Sequence, residues 1–247
     1  MIISNKYKFI FIKTPKTGGS SVEFYLSQFC EKEKDIITEL LPEEEKKRVE
    51  SKIPTGYNFE YQLFSLRLKN LMKLKIFSKK NIYDHMSLNE LIKSKIVNNI
   101  KEYFIFAYIR NPYDWIVSYF WWHIFSHKKF TVSQLKNLDK NEIQISFKSF
   151  LKLHCTGFFN WQKNIIQSDT QNINIFKYEN FNKSIYEIKK KLLLKGEKFN
   201  LSQINLKKFN FNKEIKLDNN DIIIINESAR YFFDDFSYSK EVPDKYL

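Results

Sequence analysis

Apolar residues in this chain gather in short runs, and between the runs lie longer stretches with helical spacing. This is the pattern of strands alternating with helices. Tyr7 to Ile12 is an apolar-aromatic run of the kind buried on both faces of a sheet. It leads through a Lys/Gly/Ser loop into a helix expected to end near Phe29. From Glu31 to about Lys80 the pattern weakens. Pro42 followed by Glu43-Glu44-Glu45 starts a helix, Pro54-Thr55-Gly56 breaks the chain, and a leucine-rich segment runs from Leu63 to Leu74. Residues 31–80 read as a helical insertion packed on a core, inside a single domain spanning 1–247.

Further along, Ser87-Leu88-Asn89-Glu90 has capping-box spacing and should open a helix to about Ile96. Tyr103 to Ile109 is a second buried strand, and Pro112 starts an aromatic helix to about Phe125. Thr131 to Lys148 is polar and expected at the surface. Ile173 to Tyr178 is a third strand, followed by a helix up to Leu194. Lys195 to Leu217 has little periodicity, and Asp218 to Phe236 reads as one final helix. The alternation predicts a three-layer α/β/α domain with a mainly parallel central sheet.

Composition narrows the picture. A chain of 247 residues with 43% hydrophobic content can bury a full core, so disorder is excluded as the default. The formal charge of +13 invites a nucleic-acid partner. Only Arg48, Arg67, Arg110 and Arg230 are arginines, however, and the lysines spread along the whole chain amid abundant Asn, Ile and Phe. That pattern reads as a compositional bias, and no nucleic acid is expected, although the charge still attracts anions at long range. Cys30 and Cys155 form neither a disulfide framework nor a metal cluster, and they suit a reducing compartment. The first strand begins by about Tyr7, which leaves no room for a signal peptide, and no apolar run reaches the roughly 18 residues a membrane span needs. The expected compartment is the cytoplasm.

Two stretches carry candidate chemistry. In Pro15-Lys16-Thr17-Gly18-Gly19-Ser20-Ser21, two of only 5 glycines stand side by side, directly before a helix start. Adjacent glycines let backbone approach a ligand closely, and a helix N-terminus attracts anions. The loop is not a Walker A motif, which needs lysine after the last glycine. The plain alternative is a strand-to-helix turn. In the second stretch, Arg110 stands at the carboxyl end of a predicted strand, where ligands of parallel sheets gather. Ser118 lies two helical turns on from Asn111. An arginine fork and a hydroxyl suit a terminal phosphate; the alternative is an Arg110–Asp114 pair at a helix start.

Taken together, these stretches closely resemble the sulfotransferase family that uses 3'-phosphoadenosine 5'-phosphosulfate (PAPS), particularly its carbohydrate-type branch, whose fold is P-loop NTPase-like. Pro15 to Ser21 is similar to the family's 5'-phosphosulfate loop, and Arg110, Pro112, Tyr113 and Ser118 to its 3'-phosphate motif. Tyr178-Glu179-Asn180-Phe181 and Tyr231 to Tyr238 resemble two later family segments. The resemblance implies that Pro15, Lys16, Thr17, Gly18, Gly19, Ser20 and Ser21 hold the phosphosulfate, so that Lys13 to Ser21 carries the activated sulfate. It also implies that Lys16 is catalytic and that Arg110 and Ser118 bind the 3'-phosphate. PAPS is then the co-substrate, no metal is required, and the 31–80 insertion faces the acceptor. The expected acceptor is a glycan hydroxyl; a lipid, a small alcohol or a tyrosine is the alternative. From another class, the chain could be a non-catalytic nucleotide- or nucleic-acid-binding protein.

Sulfuryl transfer also needs a general base for the acceptor proton, and histidine suits it. His85, in Asp84-His85-Met86-Ser87, is the candidate among His85, His123, His127 and His154; the carbohydrate-type family is similar in placing a histidine between its two PAPS motifs. His123 and His127 have the i,i+4 spacing of a metal pair but no evident third ligand, and are expected to line the acceptor cleft. Trp115, Tyr119, Trp121 and Trp122 read either as core or as a stacking surface for a sugar. Lys195-Gly196 and scattered lysines are all that residues 195–217 offer as a third donor-contacting segment.

Overall fold

The computed structural model describes residues 1–61, 80–127, 139–199, 204 and 214–247. Its centre is a five-stranded sheet of β1 (Ile2–Ser4), β2 (Phe9–Ile12), β3 (Ile36–Ile37), β6 (Phe104–Ile109) and β7 (Asn174–Lys177), in the order β3-β1-β2-β6-β7. β2, β6 and β7 are parallel, with Phe9 opposite Phe104 and Phe106 opposite Asn174. β1 and β3 extend the sheet antiparallel, with Ile2 opposite both Phe11 and Ile37. The sheet is thus parallel where the expected strands lie and mixed overall. β1 had no signal of its own. It is three residues long, and the polar Asn5 to Lys8 hairpin that folds it back hides its relation to β2.

Period-two alternation sorts the strands onto two faces. Phe9, Phe11, Phe106 and Tyr108 point to one side, against Val22, Tyr25 and Leu26 of α1 (Gly19–Ser27) and Ile185 and Ile188 of α6 (Phe181–Lys191). Ile10, Ile12, Ile105, Ala107 and Ile109 point to the other. There they meet α3 (Leu88–Ser94), α4 (Pro112–His127), α5 (Lys140–Ile166), α7 (Asn219–Ser228) and α8 (Arg230–Phe236). Both faces are covered, so β2 and β6 read as unbroken apolar runs. This is an α/β fold in three layers. Each fully buried side chain of this kind contributes about 1.5–3 kcal/mol.

The connection after β3 contains α2 (Pro42–Glu50) and a small antiparallel pair, β4 (Glu60–Tyr61) with β5 (Lys80–Asn81). The Leu63 to Leu74 segment lies outside the described residues, as does most of 195–217.

One expectation is filled out and one changes. Thr131 to Leu138 lies outside the described residues, and Lys140 to Lys148, mostly exposed or half-buried as expected, opens the unannounced 27-residue helix α5 and buries Ile143 and Phe147. Asp139 caps that helix, its carboxylate accepting from the Asn141 N–H at 3.0 Å. Ile143, Phe147, Phe150, Leu151, Cys155 and Phe159 form its buried stripe, thinned by polar residues at the intervening positions. The final segment is two helices, because Ala229 leaves helical geometry (φ −99°, ψ 12°) without a glycine or proline to announce it. The bend brings Phe232 onto Phe159 and Phe233 onto Tyr113. Cys30 and Cys155 are both free and buried, and burial pushes the Cys155 thiol up to about 12. No helix among the described residues is long and apolar enough to cross a membrane.

Candidate active site

The parallel strands β2, β6 and β7 end at one edge of the sheet, and each is followed there by a segment singled out from the sequence. After β2 the chain turns through Lys16 (φ 59°) and Gly18 (φ 73°) before α1 begins at Gly19. Both glycines are required by their neighbours. A Cβ on Gly18 would lie 2.7 Å from the Tyr178 ring, and one on Gly19 would lie 2.7 Å from Lys13 Cγ. α1 has neither a side-chain cap nor an acidic residue in its first turn, so its free N–H groups and dipole favour an anion.

The loop is pinned from behind. The Thr14 hydroxyl donates to the Tyr108 carbonyl and lies 2.8 Å from Thr17 Oγ1. The buried Trp115 indole donates to the Pro15 carbonyl at 2.7 Å. Trp115 therefore belongs to the core and ties α4 to the loop.

After β6 comes Arg110. Its guanidinium carbon stands 4.9 Å above the Tyr178 ring, and its buried Nε has no hydrogen-bond partner. The alternative Arg110–Asp114 pair does not form. Asp114 instead accepts from the Tyr246 hydroxyl at 2.8 Å and pairs with Lys245 at 2.6 Å. Ser118 is half-buried on α4. After β7, Tyr178 packs between Gly18 and Arg110, touching both. Glu179 accepts from the Asn111 N–H at 2.7 Å and from the Tyr238 hydroxyl at 2.9 Å. Burial together with Glu179 pushes the Tyr238 phenol well above its ordinary range. Four sequence segments that looked separate, around 16, 110, 178 and 238, thus form one edge. Tyr178 as the ring shared by loop and arginine was not foreseen; its position just past a third strand was the available signal.

His85 approaches from the other side, on the turn between β5 and α3. Ser87 caps α3, accepting from the Glu90 N–H at 3.2 Å. His85 Nδ1 lies 2.9 Å from the Lys13 carbonyl, so the histidine sits against the root of the loop. Burial holds its pKa below the ordinary value, with Asp84 pulling the other way. Trp161 of α5 stands edge-on to His85, ring centres 5.6 Å apart. Tyr119 joins this group, packed on Phe158 at 4.2 Å and on Trp122 at 5.2 Å. Trp122 is exposed, while Trp121 and Trp161 are half-buried.

Lys13 is engaged below the loop, 2.9 Å from Glu23 and 2.6 Å from Asp84, so its ammonium does not belong to the ligand-facing set. His123 lies between Phe150 and Phe158, 5.4 Å from the ring of His154. The His127 side chain lies outside the described residues. Among the described residues, no three His, Cys, Asp or Glu side chains are grouped as a metal site.

A family model for the sulfotransferase family matches residues 1–242. Comparisons with curated proteins and with solved structures found no match. The match takes in the β2 loop, Arg110, Tyr178 and the closing helices together, so the chain belongs to the sulfotransferase family, enzymes that transfer a sulfuryl group to a hydroxyl-bearing acceptor.

Proposed function

We propose that the donor is PAPS and that the acceptor hydroxyl belongs to a glycan. One observation carries the donor reading: two separate anion positions, the 15–21 loop and Arg110, stand at neighbouring strand ends with Tyr178 between them. The surroundings fit such a donor. Gly18 and Gly19, whose missing side chains make way for Tyr178 and Lys13, leave the loop backbone bare for a close approach, and the unpartnered Arg110 Nε calls for an acceptor. When bound, PAPS supplies an activated sulfuryl group at its 5' end and a phosphate at its ribose 3' position.

The chain's own groups then divide the work. Backbone N–H groups of Thr17 to Ser20 hold the 5' end; that of Ser21 already donates to the Gly18 carbonyl at 2.9 Å. Lys16 stabilises negative charge that grows on the leaving phosphate oxygen, so its interaction strengthens toward the transition state. Arg110 and Ser118 hold the 3'-phosphate. A carbonyl can only accept, so His85 Nδ1 carries the proton against Lys13 and Nε2 keeps a lone pair. That tautomer, held neutral at pH 7 by burial, can take the acceptor proton. The glycan reading draws on the aromatic group beside His85. Trp161, Trp122 and Phe158 present ring faces and edges of the sort that pack on the C–H faces of a sugar.

Calorimetry tests the donor. The product nucleotide PAP, which keeps the 3'-phosphate, should bind at least tenfold tighter than 5'-AMP, and Arg110→Ala should erase the difference. Equal affinities in the wild type would refute the assignment. Transfer of radiolabelled sulfate from PAPS across glycan, lipid and phenolic acceptors tests the rest. Labelling of lipids or phenols alone would displace the glycan, and no transfer at all would favour a non-catalytic nucleotide binder.

A further inference from the structure

Under the donor loop lies a largely buried cluster of charge whose outermost member, the part-exposed Asp84, adjoins His85. The Lys13 ammonium, only 6% exposed, is 2.9 Å from Glu23 Oε2 and 2.6 Å from Asp84 Oδ2. Fully buried Glu23 also takes the Met1 amino group at 2.9 Å and the Thr38 hydroxyl at 2.7 Å, with Arg48 Nη2 at 3.9 Å. Asp84 Oδ1 lies 3.1 Å from Thr38 Oγ1 and 3.3 Å from the Met1 nitrogen. Arg48 is further matched by Glu45 at 2.6 Å. Lys13, Arg48 and the Met1 amino group therefore face Glu23, Asp84 and Glu45, and burial holds the Met1 amine below its ordinary pKa.

Stability alone does not account for it. Burying charges costs desolvation that their attraction only partly repays, and well-packed apolar side chains often serve as well. The cluster's position offers another account. Lys13 is the residue through which the donor loop and the histidine meet: its stem fills the space under Gly19, and its carbonyl holds His85 Nδ1. Asp84, the residue just before His85, is fastened to the Lys13 ammonium. Side chain and backbone of Lys13 thus grip two consecutive residues of one turn.

We propose that Asp84 is a positioning residue for His85, holding the turn so that Nδ1 stays on the Lys13 carbonyl and Nε2 is presented to the acceptor. The proposal rests on the reading of His85 as the base. The charged groups acting on the imidazole are Asp84 on its own turn, Lys13 from the end of β2 and the Met1 amino group from the start of β1. Burial depresses the imidazole pKa most; Asp84 raises it, and the two cations lower it.

The test uses the full chain with Asp84→Asn, which keeps the shape and removes the charge. The pH profile of kcat/KM is read alongside long-range ¹H–¹⁵N spectra of the His85 imidazole. The acid limb should move to lower pH because the one favourable charge is gone, and kcat should fall by about tenfold or more. PAP affinity should stay within about threefold of wild type, and Asp84→Glu should restore part of kcat. An unmoved acid limb with the Nδ1-protonated tautomer retained in Asp84→Asn would overturn the proposal. If that variant does not fold, the wild-type spectrum decides: an Nε2-protonated His85 overturns the proposal, and an Nδ1-protonated one supports it. His85→Ala separates the two readings. An active His85→Ala enzyme removes the base role, while the spectra still judge whether Asp84 and Lys13 position the ring.

Discussion

On the proposed donor side the groups come from three strand ends and largely from backbone: loop N–H groups, two glycines fitted to their neighbours, and one arginine laid on Tyr178. On the proposed acceptor side they come from side chains, with His85 on a turn and Trp161, Trp122 and Phe158 on two helices. A backbone cradle needs particular residues at particular spacings, because only glycine tolerates those approaches and angles. A side-chain shelf needs only rings of about the right size, drawn from whatever helices meet there. The first kind of site therefore announces itself as a motif, and the second does not.

The comparison can be broken most decisively at Lys16. Lys16→Ala should cut kcat by about 10²–10³, the loss typical of removing a transition-state charge stabiliser. PAP affinity should change by only a few-fold. Near-wild-type turnover would mean that the chemistry is not carried by the donor side. Gly18→Ala comes next. Its Cβ would press into Tyr178 at a positive φ, so donor affinity should fall about tenfold or more by calorimetry. Unchanged affinity would show that the Gly18–Tyr178 contact does not shape the cradle.

On the acceptor side, Trp161→Ala should raise the glycan KM by about two- to tenfold, the worth of one aromatic contact, and leave PAP binding untouched. A matching loss of PAP affinity would show that the two halves are not separable there. The smallest effect concerns pH. Burial keeps His85 below its ordinary value of 6.5, so the acid limb of kcat/KM should fall below pH 6.5. The same shift makes His85 favour folding above pH 6.5, a contribution lost as pH falls through its folded value. An acid limb above 6.5 would move the base elsewhere.

The same contrast explains what could be read from the chain. Pro112 and Ser87 mark true helix starts because each meets a local backbone need, a first turn without an N–H donor and a free N–H to cap. The parallel strands β2 and β6 were legible because they are buried on both faces, and the half-buried β7 through its short Ile-Phe run. α5 was missed altogether because its apolar stripe is diluted by Lys, Gln and Ser, and the place of Trp161 beside His85 was missed with it. The break at Ala229 answers to packing against Phe159 and Tyr113, which no local residue reports. Asp84 carried no signal of its own in the sequence. Its role depends on Lys13, Thr38 and Met1, which the sheet brings to it from elsewhere in the chain.

The hydrogen bond from Trp115 to the Pro15 carbonyl has an experimental use. The indole is wholly buried and joined directly to the loop, whereas Trp121, Trp122 and Trp161 all reach solvent in part. Its emission and its N–H resonance should therefore report the loop's backbone from within. With the other three tryptophans replaced by phenylalanine, the protein would carry an internal optical gauge of donor occupancy, readable without any added label.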